Sequence, residues 1–512
     1  MSDTIDFAQK RVLIFIVAYN AEKTISSVLT RIPADLRNRS VEVLIIDDSS
    51  KDQTFAAGLK HEERDGDFRI TILRNPVNQG YGGNQKLGYR YAIEHGFDIV
   101  ALVHGDGQYA PEKLPALLEP LIKGEAEAVF GSRMIRKQDA LAGGMPLYKW
   151  VGNQVLTTYQ NLVLGSHLSE FHSGYRLYSV AALAKLPFER NSNDFHFDTD
   201  IIIQLHFAGM RIAELPIPTY YGDEICNVDG FKYAWDIFKT MLRAAAHRKN
   251  LLYDRKFDVS AVEETYDLKL GFQSSHTLAI SSVKKGAHVL DIGCGRGYVA
   301  ELLATDAAQV TGLDQYAPEK SDKANVSYAK WDIDAQPCPV DVSQFDQVFM
   351  LDIIEHLKDP EVFMETLRAR AVNKQPEIVL TTANIGFIVT RLMLLIGEFN
   401  YGRKGILDRT HTRLFTFHSL RELFQQTGYN VTEIKGIPAP FPKALGQGIL
   451  SRFLMLANQF FIWFPFGSGW FRGLFSYQIY VRAQARPTVP TLLAQTIATS
   501  EKLREEIKAT KG

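Results

Sequence analysis

A run of four apolar residues, Val100-Ala-Leu-Val103, breaks abruptly into His104-Gly-Asp106-Gly-Gln108-Tyr109. Such a run, closed by a polar turn containing glycine, reads as a short, fully buried strand and a tight loop. A carboxylate just past such a strand faces the crevice outside the strand's C-terminal end, where open α/β sheets take their ligands. Asp106 is thereby placed to hold a divalent cation, Mg²⁺ or Mn²⁺, which would neutralise a nucleotide diphosphate. Alone, Asp106-Gly107 could equally make nothing more than a turn. The surrounding chain has to decide.

Upstream, Val12 to Val17 is apolar throughout and ends in Ala18-Tyr19-Asn20, ahead of a helix from about Ala21. A second strand, Val41 to Ile46, ends in Asp47-Asp48-Ser49-Ser50, and Ile70 to Leu73 is a third. Asn78-Gln-Gly-Tyr-Gly-Gly83 then opens a helix over 84–95 that leads into the strand before Asp106. Strands alternating with helices through short loops predict an α/β fold with a covered parallel sheet. Tyr19, Asp47, Asp48 and Asp106 would lie along one edge of it. Acids at the ends of separate strands suit a nucleotide, one accepting from base or ribose while another carries metal. A lone Asp47-Asp48 would more often cap a helix; with Asp106 on the later strand, the nucleotide reading is preferred.

The stretches VAYNAEKTI, IIDDSSKDQT, NQGYGGNQK, HGDGQYAPE, GSRM and SGYRLY, between about residues 10 and 230, resemble the GT-A glycosyltransferases related to dolichyl-phosphate mannose synthase. That resemblance implies inverting transfer from a nucleoside-diphosphate sugar. It implies Ala18, Tyr19, Asp47 and Asp48 at the nucleotide, and Asp106 and Gln108 at the metal and diphosphate. His104 stands where the family's DxD motif has its first Asp; histidine can ligate transition metals or support the site from behind. Arg133, Lys149 and Arg176 match positions that grip an acceptor lipid phosphate, a task suited to cations. The family's later Arg and Lys, in an RxxGxSK stretch, are replaced by Tyr221-Gly-Asp-Glu224. A hydroxyl on a lipid-linked sugar therefore stands beside a polyprenyl phosphate as the expected acceptor. Such a hydroxyl needs a base. Asp198 and Asp200, in the first turn of the apolar helix at Ile201-Ile-Ile, are the candidates, Asp198 preferred, and the helix dipole is expected to keep both ionised.

The second half repeats the strand–turn–helix logic. His288-Val-Leu-Asp291-Ile-Gly293-Cys-Gly295-Arg-Gly297 places glycines where a strand hands over to a helix N-terminus, so a ligand can pack on bare backbone. A lone GxGxG also fits a dinucleotide. Later strands end at Asp314, suited to ribose hydroxyls, near Asp332, suited to an adenine amino group, and at Asp352. DIGCGRG with LDxxEHL resembles the class I S-adenosylmethionine methyltransferases over about 275–440, implying a second, Rossmann-like domain. By that resemblance Asp291, Gly293, Gly295 and Gly297 line the methionine end of S-adenosylmethionine. The stretch from Gly402 to Arg413 resembles methyltransferases acting on hydroxyl acceptors, making His356 and His411 candidate bases, though either could be merely structural.

With 512 residues, length alone suggests about three domains. The net charge of -1 argues against bulk binding of nucleic acid. Cys226, Cys294 and Cys338 make no disulfide framework, as in a reducing cytoplasm. The N-terminus is not expected to be a signal peptide. No membrane span is expected: 385–396 is short and interrupted by Arg391, and 453–471 is broken by Pro465 and glycines. Residues 449–486 carry 11 aromatics and no Asp, Glu or Lys, suiting either a bilayer interface or closure of the second sheet, with 477–481 as its last strand. The expected layout is a glycosyltransferase domain over 1–256, ending in a cationic helix, and a linker at 257–274. A methyltransferase domain at 275–445 and an aromatic and basic segment at 446–512 follow. The expected function is sugar transfer to a lipid-linked or glycan acceptor and O-methylation of the product, with peripheral contact at the inner membrane face. The alternative is a polyprenyl-phosphate sugar synthase with an inactive methyltransferase-like half.

Overall fold

The computed structural model describes residues 10–37, 40–62, 69–219, 229–249, 251–259, 268, 270–334, 338–371, 374–442, 446, 448–464, 468–493, 496–497 and 499–500. The departure at Tyr221–Glu224 lies outside them. The chain divides into two compact units, Met1–Glu263 and Glu264–Gly512.

The first unit is built on seven strands: β1 (Val12–Ala18), β2 (Val41–Asp47), β3 (Arg69–Arg74), β4 (Ile99–His104), β5 (Ala128–Ser132), β6 (Arg176–Ser179) and β7 (Ile212–Pro216). Their order is β3-β2-β1-β4-β6-β5-β7, and β6 runs antiparallel to both its neighbours. The continuous apolar runs follow from burial on both faces. In β1, Val12, Ile14 and Ile16 join one core while Leu13 and Phe15 join the other. Register pairs Ala18 with Asp47 and Val17 with His104, so the polar residues that end β1, β2 and β4 share one edge. Four helices bear on the site: α1 (Tyr81–Glu94), α2 (Leu147–Leu164), α3 (Phe197–Phe207) and α4 (Gly230–Arg248).

In the second unit the strands are β8 (His288–Ile292), β9 (Gln309–Asp314), β10 (Val326–Lys330), β11 (Gln347–Leu351), β12 (Glu377–Ala383), β13 (Tyr429–Ile437) and β14 (Gln478–Ala485), in the order β10-β9-β8-β11-β12-β14-β13. Only β14 is antiparallel to its neighbours. Helices α5 (Tyr298–Leu303), α6 (Ile388–Leu395), α7 (Ile449–Trp463) and α8 (Ser468–Phe475) accompany them.

Two expected boundaries are corrected. Phe257 is buried in the first unit's core against Phe207, and Lys256 pairs with Asp200, so the first fold continues past 257. No separate tail begins at 446, because β14 is wedged between β12 and β13. Thr381 faces Tyr480 on one side, and Lys435 faces the same Tyr480 on the other. The helix after β1 starts at Ile25 rather than near Ala21, because Asn20 takes a left-handed conformation (φ 51°) and Ala21 N donates to Thr54 Oγ1.

Candidate active sites

At the edge of the first sheet the two acids after β2 do different things. Asp47 is fully buried; its Oδ1 accepts from Ser50 N (3.1 Å) and the Ser50 hydroxyl. Its Oδ2 lies 3.5 Å from Arg74 Nε and has no hydrogen-bond partner among the described residues. Asp48 is spent on the chain itself. It accepts from Asn75 Nδ2 (2.7 Å), Gln79 N (2.7 Å) and Gly80 N (3.0 Å), clamping the loop that starts α1. Its expected place on the nucleotide is therefore corrected to a loop clamp. Ala18 O accepts from Asp48 N (2.8 Å), and Tyr19 stands exposed at the strand end.

After β4, Asp106 is exposed, and its Oδ1 accepts from Gln108 N (3.0 Å), which shapes the turn. The carboxylate suits a cation that takes its remaining ligands from phosphate and water, since Mg²⁺ is commonly held by one or two carboxylates. His104 is packed among aromatic rings. Its ring packs edge-on against Tyr81 and Tyr109, Nε2 lies 3.4 Å from Tyr81 Oη, and burial lowers its pKa.

Tyr81, the first residue of α1, was overlooked in the sequence. Its hydroxyl donates to Asp198 Oδ2 (2.9 Å), linking NQGYGG to the first turn of α3. Asp198 also accepts from Gln85 Nε2 (3.4 Å) and has Arg176 Nη2 at 3.8 Å. Gly174 backs the cluster: a Cβ there would meet His104 Cε1 at 2.6 Å and Tyr81 Oη at 2.9 Å.

Three expected assignments are overturned by burial or by the partners that hold the side chain. Arg176 is inaccessible to an acceptor phosphate: it donates to Ser173 O, Asp198 O and Phe171 O and stacks over Phe130. Asp200 points away from Asp198, pairs with Lys256 at 2.7 Å and accepts from Ser192 N. Burial raises its pKa despite Lys256, opposite to the expected effect of the helix dipole. Arg133 is turned onto the buried Glu170 and the His172 carbonyl. Lys149 lies half-buried in the first turn of α2.

In the second unit the glycine turn follows β8. Gly293, Gly295 and Gly297 all have positive φ. A Cβ on Gly293 would strike Ile353, and one on Gly297 would strike Tyr328 Oη, but at Gly295 nothing lies within 4 Å. That open backbone is a cradle, and Asp314 frames it by accepting from Gly295 N (2.9 Å) and Tyr316 N (2.8 Å). Asp291 is buried, its Oδ2 without a hydrogen-bond partner among the described residues, and burial beside Asp314 pushes its pKa up to about 7. Asp332 is exposed past β10. An open glycine backbone framed by acids, with one buried carboxylate unpartnered, fits a cationic adenosyl ligand.

The loop after β11 supplies the other wall. Asp352 sits at φ 57°, its Oδ1 accepting from Thr381 Oγ1 and Gln478 Nε2 (both 2.8 Å). Glu355 is buried, its Oε1 accepting from Ala383 N (3.1 Å), and burial beside Asp352 raises its pKa to about 8. His356 and His411 bring their rings to 4.8 Å, nearly perpendicular. Each turns Nδ1 to a carbonyl, Thr410 O at 3.2 Å and Ile406 O at 2.9 Å. A carbonyl can only accept, so Nδ1 carries the proton and Nε2 keeps the lone pair in each neutral ring. The only cluster of three or more potential metal ligands among the described residues is elsewhere, at Asp194, His196 and Asp236.

Comparison with known proteins matches residues 13–186 to "Glycosyl transferase family 2" and residues 272–434 to "Methyltransferase domain". The first part is 30% identical over 225 residues to a UDP-N-acetylglucosamine–dolichyl-phosphate N-acetylglucosaminyltransferase of Methanococcus voltae, covering 42% of this chain and 87% of that one. It is 30% identical over 213 residues to an undecaprenyl-phosphate mannosyltransferase of Micrococcus luteus, covering 40% and 82%. The second part is 27% identical over 163 residues to a ubiquinone biosynthesis O-methyltransferase of Coxiella burnetii, covering 30% and 68%.

Proposed function

Because the chain belongs to glycosyl transferase family 2 through its first unit and joins to it a methyltransferase domain, we propose that it adds a sugar to a lipid-linked acceptor and O-methylates the product. The donor is a nucleoside-diphosphate sugar, and both steps run at the cytoplasmic face of a membrane. The support from relatives is that two of them are named for transfer to polyprenyl phosphates. The support from geometry is one repeated arrangement: each unit has its own strand-end crevice containing a buried carboxylate oxygen that accepts no hydrogen bond among the described residues, on Asp47, where Arg74 lies at ion-pair distance, and on Asp291.

In the first crevice Asp47 accepts from the donor's base, and Tyr19 offers an exposed ring beside it. Asp106 would hold Mg²⁺ or Mn²⁺, which when bound supplies charge neutralisation for the departing diphosphate. Asp198 takes the proton of the attacking hydroxyl, oriented by Tyr81 and Arg176. On α2 and α4 the apolar side chains Leu147, Tyr148, Leu162 and Phe231 face solvent, a surface compatible with an acceptor on a lipid chain.

S-Adenosylmethionine would lie on Gly293, Gly295 and Gly297, with Asp314 at its ribose, and when bound supplies an already activated methyl group. The protein's part is alignment and proton removal. Nε2 of His411, or of His356 beside it, receives the proton of the sugar hydroxyl.

The test uses the full chain with a panel of UDP-, GDP- and dTDP-sugars, a polyprenyl-linked acceptor fraction and S-adenosylmethionine, with products read by mass spectrometry. Asp106→Ala should abolish sugar addition and leave S-adenosylmethionine binding intact. Loss of both in a folded variant would overturn the two-crevice reading, as would methylation of the acceptor before any sugar is added.

A further inference from the structure

Helix α7 is inside out. Its buried positions are Ser451, Asn458 and Ile462, two of the three polar. Asn458 is held by the fold, accepting from Ala439 N (3.3 Å) and donating to Phe475 O (2.9 Å), and Gln459 donates to Gln273 (3.0 Å). The opposite face presents Ile449, Leu450, Phe453, Leu456, Phe460 and Trp463 to solvent, with Phe453 65% and Leu456 66% exposed. A helix packed on a core in water does the reverse. In helix α6 only Thr390 is fully buried and Ile388 and Val389 pack partly against the core, while Leu392, Leu394, Leu395 and, just past the helix, Ile396 stand out, the last two 81% and 72% exposed.

These helices share an edge. Helix α6 follows the C-terminal end of β12, where Asn384, the residue after the strand, donates to Gly473 O in α8 (2.8 Å) and to Ser476 O (2.7 Å). Helix α7 follows β13, whose last residue, Ile437, pairs with Gln478, and Gln478 also pairs with Ala383 at the end of β12. That is the edge on which the parallel strands β8, β9 and β11 deliver Asp291, Asp314 and Asp352. The apolar helices therefore follow strands that end on the same edge of the sheet as the methyl-donor crevice.

We infer that the second unit docks on an anionic lipid bilayer through α6 and α7, lying in the interface and facing its methyltransferase crevice to the headgroups. Charge selects this occupant. Residues 449–486 contain no acid and no lysine, and the exposed Arg452 and Arg391 stand on the two helices. Apolar and aromatic side chains with arginine and without acids match the interface of an anionic membrane. Among the described residues no helix is long and apolar enough to cross a membrane, so contact is from one side. This inference rests on the reading that the methyl acceptor is lipid-linked, which gives the orientation its purpose.

The test is flotation of the full chain with vesicles of phosphatidylcholine, alone or mixed with phosphatidylglycerol, without acceptor or sugar donor. Wild type should partition into the mixed vesicles and poorly into phosphatidylcholine alone. Phe453→Glu with Leu456→Glu, and separately Leu395→Glu with Ile396→Glu, should each lower partitioning about tenfold or more. These side chains face water, so S-adenosylmethionine binding in vesicle-free buffer should be unchanged and reports an intact fold. Wild type left unbound, equal binding to both vesicle types, or both pairs binding like wild type would overturn the inference. So would a wild-type dimer that Phe453→Glu with Leu456→Glu dissolves in the absence of vesicle binding. Partitioning without methylation of any lipid-linked glycan would instead strike the functional reading, while methylation in detergent by a chain that ignores vesicles would strike only the docking.

Discussion

Tyr81 Oη donates to Asp198 Oδ2 at 2.9 Å across 117 residues of sequence. The phenol is held for this task, stacked on Phe195 with ring centroids 5.2 Å apart and 3.4 Å from His104 Nε2. Burial, with Asp198 beside it, raises its pKa well above the ordinary phenol value, so it stays a donor. Tyr81→Phe keeps the ring and removes only the hydrogen bond. Sugar-transfer kcat should fall about tenfold or more while KM for the donor moves much less. Steady-state kinetics on both constants checks this, and an unchanged kcat would remove Tyr81 and Asp198 from the proton path.

Arg133, half-buried, pairs with the buried Glu170, which also ties Asn153, whose Nδ2 donates to Glu170 at 2.8 Å. Arg133→Met leaves Glu170 charged and uncompensated, which should cost about 3–5 kcal/mol in denaturant unfolding of the first unit. Although burial opposes it, Arg133 holds the Glu170 carboxyl below its ordinary range. A depressed carboxylate stabilises above the unfolded pKa, so this contribution should vanish as pH falls through the lower folded value. In Arg133→Met that acid-side loss should be missing.

At Gly295 the backbone has φ 55° and open space beyond it, so an added Cβ meets no protein atom but occupies the cradle. Gly295→Ala should weaken S-adenosylmethionine binding at least about tenfold while costing only about 1 kcal/mol of stability for the left-handed backbone. Calorimetric titration beside thermal unfolding separates the two effects. Gly297→Ala should fail differently, through unfolding, because its Cβ would lie 2.2 Å from Tyr328 Oη.

Asp291 and Glu355 carry raised pKa values, about 7 and about 8, each from burial and an acidic neighbour. Both bind protons more tightly folded than unfolded. Their favourable contribution is complete below the unfolded carboxylate range near 4 and is lost as pH rises through 7 and 8. The unfolding free energy, read from the thermal transition that S-adenosylmethionine raises, should therefore fall between pH 5 and 8 by an amount of order a few kcal/mol. Asp291→Asn with Glu355→Gln should flatten that slope.

His411 is held neutral by burial, with His356 contributing to the lowered pKa. If it is the base, methyl transfer should lose activity only below the ordinary histidine range, near 6.5. His411→Ala and His356→Ala should reduce methylation and spare sugar transfer. A methyl-transfer pH profile unmoved in both variants would exclude the pair.

Much of this was legible in the chain because it is local. Val12–Val17, Val41–Ile46 and Val100–Val103 announce buried strands by apolar continuity, and the polar residues that end them must share an edge once the strands are parallel. The DIGCGRG turn is local in the same sense, since glycine is needed where φ is positive. The failures at the candidate sites are matters of side-chain direction, and those at the boundaries near 257 and 446 come from contacts made far along the chain. Arg176 and Arg133 look like surface cations in sequence, yet each is spent on buried partners. Asp198 and Asp200 are two apart on one helix turn, which puts them on different sides of it, and only packing says which side meets Tyr81 and which meets Lys256. The aromatic segment read equally as interface or sheet; β14 enters the sheet, and α7 turns an apolar face outward.

Sequence alone determined the two α/β units, their acid-lined strand ends and the glycine turn, because strand burial and backbone conformation depend on near neighbours. The tertiary structure decided which carboxylates remain unpartnered and which are consumed, which histidines meet, and which helix faces stay bare. Those depend on contacts between residues far apart in the chain, where desolvation and pairing reverse what each side chain would do by itself.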